Sequence, residues 1–367
     1  MKVGILTWYQ AINHGAVLQT YASCQMLKEL DCDPVVLDYN WSLSDENDKK
    51  IIRYIRRLRN FSPKKLVWYM HVKDLFREKS ENFSNFIKDY LPVGKMYKDE
   101  NGLDAVYIGS DMVFDITEGY NPYMYGFEVP SDYIFSYAAS FGYTTYESLK
   151  NNENHDKIIA SLKKLKAIGY RDQNTLQLCK KNNIKVPMTE NIDPVLAYGF
   201  KNEIENWDTG KWKNRKYILI YSYDSTMNDK ETINAIRDVA KEEGLELISC
   251  GYYHKWCDSS LPTSPVEFIE MVKHAKYVIT DTFHGTVFSL LMHKQLASIV
   301  LKNGFKLRYL LEQIGMASLI AENPEMISAV LHCKADYTNF DNWLEKNSAQ
   351  SKSYIAENIM RARREMR

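Results

Sequence analysis

Short apolar runs alternate with longer amphipathic ones along most of the chain, a rhythm that predicts parallel α/β units. Val3–Thr7 reads as a strand, Ala16–Leu30 as a helix and Pro34–Asp38 as the next strand. Within that helix Val17, Tyr21, Cys24, Leu27 and Leu30 recur at spacings of three and four, which buries one face. Further strands are predicted at Asp104–Ile108, Tyr133–Ala138 and Ala167–Arg171. Residues 200–216 are polar with scattered aromatics and read as a linker. Beyond it the alternation restarts, with strands at Tyr217–Tyr223, Leu245–Cys250, Tyr277–Thr280 and Leu296–Val300. Helices are predicted near Asp229–Glu243, at Pro265–His274 and at His284–His293.

The pattern therefore predicts an α/β protein with two Rossmann-like domains facing a cleft. Residues 1–199 form the first, carrying a basic helical insertion at about 49–90, and 217–335 form the second. A last helix, 340–367, is expected to pack back on the first domain. In open α/β sheets ligands bind outside the carboxyl ends of the strands, so the loops following the strands are where chemistry is sought.

Composition narrows the function. The 367 residues carry 47 Lys+Arg against 47 Asp+Glu, and this zero net charge argues against a protein that coats nucleic acid. With 45% hydrophobic and 26% charged residues the chain is globular, not disordered. Its six cysteines include no Cys-x-x-Cys pair, so neither a disulfide framework nor a zinc site is expected. A strand at the N-terminus and no apolar run near the ~18 residues of a membrane span lead to the expectation of a cytoplasmic protein. There is no G-x-G-x-x-G and no G-x-x-x-x-G-K-[ST], which disfavours nicotinamide and P-loop chemistry. Residues 51–79 interleave cations with Ile, Leu, Trp and Tyr. Such a segment reads first as an ordinary helix pair with a solvated basic face, and it also fits peripheral contact with the inner face of an anionic membrane.

Five segments after strands hold candidate chemistry. In Tyr277–Leu291 an apolar strand runs through a polar turn into an apolar helix. Gly285 there permits close approach to backbone, Thr282 and Thr286 offer hydroxyls, and free amides at a helix start bind anions. His284 stands at that mouth, either as a proton donor or cation or as a cap of its own helix. Asn13, His14 and Gly15 make a turn that serves structure or site equally well. Ser110 and Asp111 follow another strand, the carboxylate being either a base for a hydroxyl or a turn cap. Arg171 ends a strand and suits bidentate recognition of carboxylate or phosphate, or a salt bridge to Asp172 or a neighbour. Lys302, Lys306 and Arg308 either line the cleft or form a solvated helix face.

Taken in order, these segments resemble the polysaccharide pyruvyl transferase family over most of the chain. The family's Asn-Tyr-Gly-Ala-x-Leu-Gln appears as Asn13-His14-Gly15-Ala16-Val17-Leu18-Gln19, and its Gly-Ser-Asp-Gln-x-Trp-Asn as Gly109-Ser110-Asp111-Met112-Val113-Phe114-Asp115. Tyr137–Gly142 matches the segment that follows, Arg171 falls at the Val-Arg-Glu position, and Ile192-Asp193-Pro194-Val195-Leu196 at Asp-Pro-x-Leu. Thr280–Thr286 matches Thr-x-Ser-Phe-His-Gly-Thr. The departures are His14 for Tyr; Met112, Phe114 and Asp115 for Gln, Trp and Asn; and Asp172 for Glu.

The resemblance implies a two-domain architecture like that of GT-B glycosyltransferases, and pyruvyl transfer from phosphoenolpyruvate to two hydroxyls of one sugar. Phosphoenolpyruvate is then a substrate, with no other cofactor and no metal. The other partner is a sugar acceptor, on a surface polysaccharide or its lipid-linked precursor. His284 and Asp111 are the implied catalytic residues. Asn13, His14, Gly15, Ser110, Arg171, Gly285, Thr286, Lys302 and Arg308 are the implied substrate-binding residues. Two other readings share the scaffold: a glycosyltransferase using a nucleotide-sugar donor, and a non-catalytic sugar- or phosphate-binding protein.

Overall fold

The computed structural model describes residues 1–39, 63–117, 119–300 and 305–366. Lys302 and the part of the basic segment up to residue 62 lie outside them. Two parallel sheets organise the rest. The first contains β1 (Lys2–Leu6), β2 (Asp33–Asp38), β3 (Val93–Met96), β4 (Ala105–Ile108), β5 (Ile134–Ala139), β6 (Ala167–Tyr170) and β7 (Met188–Glu190), in the order β3-β2-β1-β4-β5-β6-β7. The second contains β8 (Tyr217–Tyr221), β9 (Glu246–Cys250), β10 (Ser259–Leu261), β11 (Tyr277–Thr280), β12 (Gln295–Ile299) and β13 (Ile320–Ala321), in the order β10-β9-β8-β11-β12-β13.

Parallel strands covered by helices on both faces must be apolar on both faces, and Ala105–Ile108, Tyr217–Tyr221 and Tyr277–Thr280 are buried throughout. The short strands β3, β7, β10 and β13 lie toward or at the sheet edges, where two to four residues leave little periodic signal. The predicted linker is more ordered than its polarity suggests. It contains a helix, Lys201–Asn206, and Trp212 is fully buried with its ring 5.5 Å from that of Tyr217.

Each sheet reverses its winding once, between β1 and β4 in the first and between β8 and β11 in the second. Those reversals open the crevices where ligands enter α/β sheets. The loops after β1 and β4 carry Asn13, Ser110 and Asp111; the loops after β8 and β11 carry Tyr223, Asp281 and Thr282. The two crevices meet, because Asn13 Nδ2 donates to the Tyr223 hydroxyl at 3.4 Å. The helix Thr338–Glu365 lies against the first sheet: Tyr354 donates to the Ser136 carbonyl at 2.8 Å, and the Ser351 hydroxyl accepts from the Ile192 amide at 3.1 Å. No helix among the described residues is long and apolar enough to cross a membrane.

Candidate active site

Four side chains from separate elements converge where the domains meet. Arg171 leaves the end of β6, Asp111 follows β4, Asp193 follows β7, and His284 opens the helix Phe283–Leu291 of the second domain. The Arg171 guanidinium donates to Asp111 Oδ1 at 2.6 Å and to Asp193 Oδ2 at 2.8 Å. Gln19, from the helix His14–Lys28, also donates to Asp193 Oδ2. His284 Nε2 lies 3.6 Å from that same oxygen, within ion-pair reach but too far for a hydrogen bond.

Local sequence explains each placement. Asp193 precedes Pro194 and caps the helix Pro194–Tyr198, its Oδ1 accepting from the Val195 amide at 2.9 Å. Burial pushes the Asp193 carboxyl up, but the adjacent His284 imidazole and the charge of Arg171 outweigh it and hold it below its ordinary value. Asp111 takes a left-handed backbone (φ 69°), a conformation Asp tolerates better than most residues, and its carbonyl accepts from Ser140 N at 2.9 Å. Of the Arg171 partners, Asp193 is fully buried while the Asp111 side chain is 30% exposed. Asp111 is thus the partner that incoming solutes can reach.

At the second domain Thr282 caps the helix by accepting from the Gly285 amide at 3.0 Å, and the Thr286 amide begins the helical ladder on the Thr282 carbonyl. The first-turn amides of Phe283 and His284 are left over by this cap and ladder. His284 Nε2 is buried, and no hydrogen-bond partner for it occurs among the described residues.

Other predicted residues play different parts. Gly285 packs rather than admits a ligand, since a Cβ there would come within 2.3 Å of Thr280 Oγ1. The Thr286 hydroxyl bonds Ser298 Oγ at 2.9 Å, and Ser110 Oγ donates to the Ala138 carbonyl at 3.2 Å. His14 is wholly buried in the seam between the domains: Nε2 donates to the Thr263 carbonyl at 3.1 Å and Nδ1 accepts from Tyr221 at 3.2 Å. Its ring lies against Phe83 and Phe268, each 4.9 Å away. Burial, reinforced by Lys79, drives the His14 pKa well below its ordinary 6.5, so the ring is neutral. Arg308 pairs with Glu322 at 2.6 and 2.5 Å. Asp172 caps its own helix through the Thr175 amide at 2.8 Å instead of pairing with Arg171.

The site's order along the chain matches a known family model. Residues 13–303 match the model for polysaccharide pyruvyl transferase. The chain belongs to that family. Membership indicates a transferase of polysaccharide pyruvylation, and it places Asn13, Asp111, Arg171, Asp193 and His284 within the matched span. No curated protein is similar enough in sequence to match. Among solved structures the family member is similar to the trehalose-6-phosphate phosphatase N-terminal domain of Candida albicans, with TM-score 0.52, 12% identity and 98% of each chain covered. It is also similar to MnaA of S. aureus in a co-structure with UDP, with TM-score 0.50 and 12% identity over 98% of this chain and 95% of that one. Identities this low speak for the fold alone. The architecture is that of GT-B proteins, two Rossmann-like domains across a cleft.

Asp193 and Gln19 are site residues that the residue-by-residue reading did not single out. Asp-Pro at a helix start after a strand was the available signal for Asp193. For Gln19 it was the four-residue step from Gly15, which puts both on one helix face.

Proposed function

We propose that the protein transfers pyruvate from phosphoenolpyruvate onto two hydroxyls of one sugar, in a surface polysaccharide or its lipid-linked precursor, forming a cyclic ketal and releasing phosphate. The observation that carries this reading is the buried Nε2 of His284, without a hydrogen bond among the described residues, beside the Asp193–Arg171 pair and within the family's matched span. A ring nitrogen without a partner, next to a carboxylate, is suited to move a proton.

The chemistry requires three proton movements. An acid delivers a proton to the methylene carbon, whose double-bond electrons form the new C–H bond and leave the central carbon electrophilic. A sugar hydroxyl adds there and loses its proton. The C–O bond to phosphate then breaks with its electron pair, and a second hydroxyl adds to close the ketal, losing a second proton. Of those two protons one restores the acid and the other leaves with phosphate, so the account balances.

His284 is assigned as the acid. Asp193, itself bonded by Gln19, holds Arg171 from the buried side. Asp111 is assigned as the base for an acceptor hydroxyl, and its exchange off Arg171 leaves a guanidinium edge for the donor's carboxylate. The first-turn amides of Phe283 and His284 supply the anion contacts of a helix N-terminus. The test is phosphate release from phosphoenolpyruvate in the presence of saccharide acceptors. His284→Asn is expected to lose at least about 100-fold in kcat with KM for phosphoenolpyruvate little changed. Near-wild-type turnover by that variant would remove the acid role.

A further inference from the structure

A cavity of about 640 Å³ opens on the other side of Arg171, between the ends of β6 and β7, the helix Phe305–Gln313 and the helix Thr338–Glu365. That volume falls in the range of small-molecule sites, about 300–1,000 Å³. Among the described residues its lining carries two guanidinium groups, Arg171 and Arg308, against four carboxylates, Asp172, Glu190, Asp193 and Glu312. Both guanidiniums are already paired, Arg171 with Asp111 and Asp193 and Arg308 with Glu322. An anionic guest would meet an excess of negative charge here. A neutral one that offers hydroxyl protons would meet acceptors.

The remaining lining has the composition that binds sugars. Phe283, Tyr309 and Trp343 bring aromatic rings, and Asn174, Asn347 and Gln350 bring amides. Tyr309 is 44% exposed, a large ring with little packing of its own to satisfy. Asn191 stands in the wall, 2% exposed, with neither its Oδ1 nor its Nδ2 hydrogen-bonded among the described residues. A buried amide without partners is costly unless something completes it. Aromatic faces pack the C–H faces of sugar rings while amides and carboxylates bond the hydroxyls.

We propose that this cavity is a saccharide subsite holding the neutral acceptor chain, with the anionic donor confined to the His284 side of Arg171. The assignment of the guest as acceptor rests on the pyruvyl-transfer reading; the saccharide chemistry of the cavity does not.

The test is saturation-transfer NMR on the full chain with a panel of neutral disaccharides containing galactose, mannose or N-acetylglucosamine. At least one is expected to bind wild type and to weaken about fivefold or more in both Tyr309→Ala and Asn347→Ala. No binding by any of them, or binding that both variants leave unchanged, overturns the proposal. Phosphoenolpyruvate is titrated into the same samples. Variant-sensitive saccharide binding without phosphoenolpyruvate binding would sink the pyruvyl reading and leave the cavity assigned. Phosphoenolpyruvate binding with no saccharide effect would do the reverse.

Discussion

Gly15 sits directly beneath the His284 imidazole: a Cβ added at Gly15 would fall 2.0 Å from His284 Nδ1. The two residues belong to different domains, so the absence of a side chain at one determines where the ring of the other can lie. Gly15→Ala is therefore expected to push the imidazole away from Asp193. Crowding of this kind costs about 1–3 kcal/mol, set against a gain of up to about 1 kcal/mol from replacing a helical glycine. The larger effect should be on turnover, a fall of about 100-fold for a displaced catalytic group. Steady-state kinetics beside a thermal melt would separate the two, and wild-type turnover in this variant would mean the ring has no positional role.

Lys79 is 1% exposed, lies 3.9 Å from the centre of the Tyr252 ring, and pairs with no carboxylate among the described residues. Burial lowers its pKa from 10.5 to about 8. The unfolded chain therefore binds more protons than the folded one between those values, and stability rises with pH across that window. The slope contributed is up to about 1.4 kcal/mol per pH unit. Lys79→Met is expected to be more stable than wild type at pH 7, with the gap closing as pH climbs from 8 toward 10.5. Melting curves at fixed salt check this, and a gap that does not narrow with pH would contradict it.

His14 gives the opposite end of the pH scale its own signature. With its folded pKa well below the ordinary 6.5, the unfolded chain takes up a proton that the folded chain refuses once pH drops under that value. Stability from this group is present above pH 6.5 and lost below it, by up to about 1.4 kcal/mol per unit. Replacing the ring by His14→Gln should make the melting midpoint less steep between pH 6.5 and 5 than in wild type. Parallel slopes would show that the ring titrates normally.

Much of the scaffold was legible because buried parallel strands announce themselves as unbroken apolar runs, as in Ala105–Ile108 and Tyr277–Thr280. Short strands such as β10 and β13 were not, since two or three residues carry no period. Trp212 hid inside a polar stretch because one buried ring among charged neighbours does not alter the local pattern. In the site, Arg171, Asp111 and His284 were readable from their places after strands. What the pattern could not convey was pairing. That Arg171 would be held by two carboxylates, or that His14 would close a seam on Thr263 and Tyr221, depends on residues 22 to 249 positions apart. Asp115 is a further case: it accepts from the Tyr143 amide and the Thr144 hydroxyl, both at 2.9 Å, and so organises a loop 28 and 29 positions away.

The most direct measurement is calorimetric titration of phosphoenolpyruvate, with UDP- and CMP-sugars as controls, into wild type and into Arg171→Lys. Lysine keeps the charge but loses the planar fork that spans Asp111 and Asp193, and so preserves more of the buried pairing than alanine would. The account predicts that phosphoenolpyruvate binds wild type, that Arg171→Lys weakens it by about tenfold or more, and that the nucleotide sugars give no heat. Binding of a nucleotide sugar with none of phosphoenolpyruvate would contradict it and make the protein a glycosyltransferase.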